Sequence, residues 1–136
     1  MIEGTGSFEE AENVLSAAFD ALNRGDLDAA EELCAPGIEI VTRDGTQHGP
    51  AYLRDFWSRQ LAAFDIEWEV ERVHDAGGGA VIVEQRVTRR NKETGGVELR
   101  AWPAAVVRVR DGSIVFFEGY QDRRKAFADL GLEQPY

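Results

Sequence analysis

Glu84 and Arg86 are the pair in this chain whose types and spacing most suggest chemistry. They lie two residues apart in the stretch Ala80 to Arg90, which reads as a strand. Glu84 then shares its face with Ile82, Arg86 and Thr88. A guanidinium beside a carboxylate favours the ionised form. Glu84 would be a weak proton donor at neutral pH, and Arg86 could meet a developing oxyanion. The plainer alternative is a structural ion pair, since Glu and Arg are rarely buried for any reason. His48 precedes Gly49-Pro50 in a predicted loop, where function concentrates. His74 ends a strand ahead of a glycine-rich turn and is expected to be exposed. Two histidines and one cysteine, far apart, give no metal-ligand spacing. No metal and no cofactor is expected. Cys34 reads as a small core residue.

The 136 residues suit one domain spanning 1–136, with residues 1–6 flexible. An apolar fraction of 43% and a charged fraction of 29% exclude a disordered chain. The net charge of −10 opposes a phosphate backbone, so nucleic acid is excluded as a partner. No run approaches the ~18 apolar residues of a membrane span. The start of the chain, short, acidic and Gly-rich, is not a signal peptide. One cysteine cannot make an internal disulfide, which fits a reducing compartment, and the cytoplasm is expected. The basic clusters Arg86, Arg89, Arg90, Lys92 and Arg123, Arg124, Lys125 lack interleaved aromatics and read as solvated faces.

The elements that must position these side chains divide by period. Ser7 and Glu10 form a capping box, and Phe8, Ala11, Leu15, Phe19 and Leu22 then recur at helical spacing until Gly25. Asp26 caps a second helix carrying Leu27, Ala30, Leu33 and Cys34, stopped at Pro36-Gly37. Ile38 to Thr42 is a short strand. Gly49-Pro50 opens a third helix through Phe64. From Asp65 the period changes to two. Strands follow over Ile66–Glu71, Ala80–Arg90, Val97–Arg110 with a bulge or edge at Pro103, and Ser113–Gln121. Asp111-Gly112 is a hairpin signal, and Asp122 caps a closing helix ended by Gly131. The fold class is α+β: a cone-shaped, curved antiparallel or mixed sheet wrapped around three helices, with a short C-terminal helix.

This order resembles the nuclear transport factor 2-like superfamily, in its SnoaL-like branch. The residues that carry the resemblance are Asn23-Arg24-Gly25-Asp26, Gly49-Pro50, Val109-Arg110-Asp111-Gly112-Ser113-Ile114, Gly119-Tyr120-Gln121-Asp122-Arg123 and Gly131-Leu132. The resemblance implies a cone-shaped α+β barrel, a ligand pocket, and a homodimer packed through the outer sheet face. It also implies several chemistries that share one fold. The base of ketosteroid-isomerase-like members would fall near Ile40, where only Glu39 is acidic and its parity turns it from the core. The Arg, Asp and second Asp of epoxide-hydrolase-like members match Arg86, Thr88 and Gly119, so both carboxylates are missing. For a polyketide-cyclase-like reaction the acid candidates are Glu84 and Glu118. In that reading Glu84 or His48 shuttles the proton and Arg86 stabilises the oxyanion.

Phe19, Tyr52, Phe56, Trp57, Phe64, Trp68, Trp102 and Phe117 are many rings for so small a domain. Either they plug the cone or they line a pocket for a small apolar, ring-containing molecule. The ligand contacts expected are Tyr52, Trp57, Thr88, Trp102, Phe117 and Gln121. The face of the last strand holding Val115, Phe117, Gly119 and Gln121 matches the pocket face of the family. Two functions follow: a cofactor-free isomerase or cyclase, or a non-catalytic ligand-binding or dimerisation module.

Overall fold

The computed structural model describes residues 8–133. The expected flexible segment 1–6 and the Ser7 half of the capping box lie outside the described residues. The elements run α1 Phe8–Asn23, α2 Leu27–Glu32, β1 Cys34–Thr42, β2 Gly45–His48, α3 Pro50–Ala63, β3 Asp65–Gly77, β4 Ala80–Arg90, β5 Val97–Ala101, β6 Ala104–Arg110, β7 Ser113–Tyr120 and α4 Arg123–Asp129.

The punctuation acts as the chemistry of each residue dictates. Gly25 takes φ +73° just past α1, a conformation that costs glycine little. The Asp26 and Asp122 carboxylates accept from the backbone N–H groups of Ala29 and Arg124, capping α2 and α4. Asp111 and Gly112 both hold positive φ, 52° and 77°, as a primed hairpin turn requires. Asn23 fastens the end of α1 to β3: its amide donates to the Trp68 carbonyl at 2.8 Å and accepts from the Trp68 N–H at 2.9 Å.

The seven strands form one mixed sheet in the order β2-β1-β7-β6-β4-β3, with β5 pairing β4 beside β6. Only β1 and β7 pair in parallel; the other neighbours are antiparallel. The path ends at β2 and β3, so the sheet does not close into the expected barrel.

Three local expectations are corrected. The second helix stops at Glu32 rather than at Pro36-Gly37, which lie inside β1 where its register with β7 shifts. Cys34 therefore begins a strand instead of ending a helix, although it is buried as expected. His48 sits in β2, not in a loop. The expected long strand over 97–110 breaks at Trp102-Pro103 into β5 and β6, both on one edge of β4. Pro103 has no N–H for the ladder, yet its carbonyl still accepts from Gln85 N–H at 2.9 Å.

The inner face of the sheet packs on α1 and α3. Ala11, Val14, Leu15 and Ala18 meet Ile38, Ile40, Leu53, Val81, Val83, Ala105 and Val107 in one buried cluster. The outer face has its own cover. Ile82, Ala104 and Val106 pack against Ala126 and Phe127 of α4. The first six residues of β4 are consequently buried on both faces.

Candidate functional site

Register across the sheet settles which side chains face the helices. Val83 of β4 stands opposite Ala105 of β6, which stands opposite Gly119 of β7. Val81, Val107 and Phe117 form the next row, and Ile40 of β1 extends it. These odd-numbered positions of β4, β6 and β7 face α1 and α3. Side chains alternate along a strand, so Glu84, Arg86 and Thr88 face the other way.

Glu84 is fully buried on that outer face. Its carboxylate accepts from His74 Nε2 at 2.5 Å and from Arg123 at 2.9 Å, with Arg72 at 4.0 Å. Arg123 also donates to Glu71, to the Gln85 carbonyl and to the Trp102 carbonyl, at 2.6, 2.7 and 2.9 Å. The His74 ring meets Phe127 edge-on, with centroids 5.0 Å apart. This network fastens α4 to the sheet, and its ion pairs satisfy a carboxylate that could not be buried alone. Glu84 and Arg86 do not act together. Arg86 is exposed and paired with Glu69, its cross-strand neighbour, at 2.6 and 2.9 Å. Thr88 is buried on the outer face. His48 is exposed opposite Glu39, and the exposure of Glu39 agrees with its expected parity. The structure therefore corrects the placement of all three catalytic candidates, none of which reaches the inner face.

The inner face encloses a cavity of about 440 Å³. Helix α1 contributes Leu15, Phe19 and Leu22, and α3 contributes Leu53, Phe56, Trp57 and Gln60. The sheet contributes Ile66, Trp68, Val83, Gln85, Val87, Arg89 and Phe117 among others, and Gln121 joins them just past the end of β7. Of the expected ligand contacts, Trp57, Phe117 and Gln121 line this space. Tyr52, Thr88 and Trp102 do not, and Trp102 is half exposed at 51%. Gln60, Gln85 and Arg89 were not anticipated. Gln85 and Arg89 share odd parity with Val83 and Val87, a signal visible once the face of β4 is known. Among the described residues the cavity's lining contains no Asp, Glu, His or Lys. No group of three His, Cys, Asp or Glu side chains converges as a metal site among those residues.

Cys34 also lines the cavity. Its Sγ–H points at the Ala30 carbonyl, 3.7 Å away. Burial, with the Glu31 carboxylate adding to it, raises the thiol from 9.0 to about 11. The folded state thus favours the neutral thiol. Stability from this group is complete below the unfolded value, and it is lost as pH climbs from 9.0 towards about 11. Alkylation by iodoacetamide should be slow at pH 8 and accelerate on approaching that upper value. Mass spectrometry can follow it, and rapid labelling at pH 7 would contradict a buried thiol.

A sequence profile of the SnoaL-like domain matches residues 15–117. No curated protein sequence matches the chain. Among solved structures, a candidate polyketide cyclase from Xanthomonas campestris superposes with a TM-score of 0.71 at 23% identity, covering 90% of this chain and 97% of that one. An LEH-like epoxide hydrolase from M. tuberculosis gives 0.70 at 21% identity, covering 93% and 88%. AclR, a candidate hydroxylase from Streptomyces galilaeus, gives 0.74 at 22% identity, covering 92% and 87%. At these identities the likeness is one of fold.

Proposed function

Because the chain belongs to the SnoaL-like domain family, we propose that it is a small-molecule-binding domain whose inner cavity takes an apolar, ring-containing compound. The observation that carries this reading is the lining: Phe19, Phe56, Trp57, Trp68 and Phe117 around about 440 Å³ of open space. That volume is in the range of ligand pockets, and flat rings gain from stacking against flat rings. Binding is favoured over proton-transfer catalysis because, among the described residues, the lining holds no carboxylate or imidazole and the Cys34 thiol stays protonated. A cofactor-free isomerase or cyclase would have to bring its base in from outside this lining.

Trp57 and Trp68 make the test direct. A neutral two-ring compound such as 2-acetylnaphthalene should quench or shift their fluorescence saturably, and Trp57→Ala should weaken the response. A 3-oxo-Δ5-steroid should bind without detectable isomerisation. Unaltered fluorescence with both compounds would remove the binding reading, and steroid turnover would favour the enzyme. A single domain, a homodimer through the outer sheet face and a cytoplasmic location belong to the same proposal. The family resemblance supports the dimer, and the lone buried thiol is compatible with a reducing compartment.

A further inference from the structure

Three arginines of the described chain are partly buried: Arg54, Arg89 and Arg123. Arg54 pairs with Asp28 and Glu31, and Arg123 pairs with Glu71 and Glu84. Arg89 has no carboxylate partner among the described residues, in a chain with 25 acidic and 15 basic residues. Its Nε is buried without a hydrogen-bond acceptor. Its guanidinium lies 4.4 Å from the centre of the Phe64 ring and borders the cavity. Stacking on a ring holds a guanidinium in place without occupying its N–H groups. Gln85, on the same face of β4, is 8% exposed. Its backbone is bonded to Pro103 and Arg123, while its side-chain amide takes no partner among the described residues. Four residues of strand separate the two positions by about 13 Å at the backbone. The cavity wall thus carries two polar groups without a side-chain partner among the described residues, and one of their atoms, Arg89 Nε, is buried unsatisfied where buried polar groups are normally satisfied.

We propose that Arg89 selects ligands bearing a carboxylate. The occupant is a ring compound whose anionic end meets the Arg89 N–H groups and whose far end carries a neutral hydroxyl or carbonyl for Gln85. A planar guanidinium fork suits a carboxylate, and such charge-assisted bonds are the stronger kind. This deepens the binding reading above and presupposes it.

Calorimetric titration of the full chain at pH 7 with 2-naphthoate and 2-acetylnaphthalene tests the proposal. The rings are the same and only one ligand is charged. Naphthoate should bind at least about tenfold more tightly, as expected for a hydrogen bond to a charged group. In Arg89→Met the two affinities should fall within about twofold of each other. If that variant melts far below the unmodified protein, Arg89→Gln carries the same expectation. A 6-hydroxyl added to naphthoate should improve binding to the unmodified protein but not to Gln85→Leu, and no gain in the unmodified protein would remove Gln85 from the proposal. Equal affinities in the unmodified protein, or a preference that survives loss of Arg89, would overturn the role of Arg89 and leave the pocket reading intact. Failure of all these ring compounds to bind would overturn both.

Discussion

Glu84→Ala should cost about 3–5 kcal/mol of stability, the range measured when one member of a buried ion pair is removed. Glu84 is fully buried, while the side chains of His74 and Arg123 are 20% and 16% exposed. Deleting the carboxylate leaves Arg123, the first residue of α4, with Glu71 as its remaining acidic partner among the described residues. The melting temperature should fall by roughly 10 °C or more. Glu84→Gln keeps the shape and some hydrogen bonding, so it should lose less, about 1–3 kcal/mol. Glu84 faces away from the cavity, so ring compounds should still bind the folded variant. Normal stability with lost binding would reverse this assignment and return Glu84 to the site.

Leu53→Ala should have the other large effect. Leu53 is the buried side chain of α3, at 4% exposure, and α3 forms one wall of the cavity. Truncating a buried leucine costs about 2–5 kcal/mol through lost transfer energy and the void left behind. Here the void would open onto existing space and the docking of α3 would loosen with it. Phe56, Trp57 and Gln60 ride on the same helix. Affinity for 2-acetylnaphthalene should therefore drop by about tenfold or more, corresponding to ~1.4 kcal/mol. Thermal melting and titration below the melting point measure the two effects separately. A variant that melts within a degree or two of the unmodified protein would mean that α3 is held by something other than Leu53.

The fold was readable where local chemistry is unambiguous. Asp26, Asp122, Gly25 and Asp111-Gly112 mark helix starts, a helix end and a hairpin whatever surrounds them. The face of β4 was not readable. Ala80, Val81, Ile82 and Val83 are all apolar, because α4 buries one side of the strand as α1 buries the other. An unbroken apolar run carries no parity, so Ile82 could pass for an inner residue and bring Glu84 with it. The missed strand β2, Gly45-Thr46-Gln47-His48, has no alternation to see. Pro36-Gly37 stood for a stop because both residues usually are one, although β1 absorbs them at an irregularity. Gln85 and Arg89 escaped for a different reason. A polar residue on a cavity wall looks like a surface residue until the wall is known.

The two-sided burial of β4 also grades its mechanics. Its first six residues are clamped between two packed layers, whereas the stretch from Arg86 to Arg90 is only intermittently covered. Burial density sets how readily a segment opens, so one strand holds a stiff root and a compliant tip. Arg89 belongs to the tip. Whatever enters the hollow can be gripped by a part of the sheet that yields, while the part that secures the fold stays still.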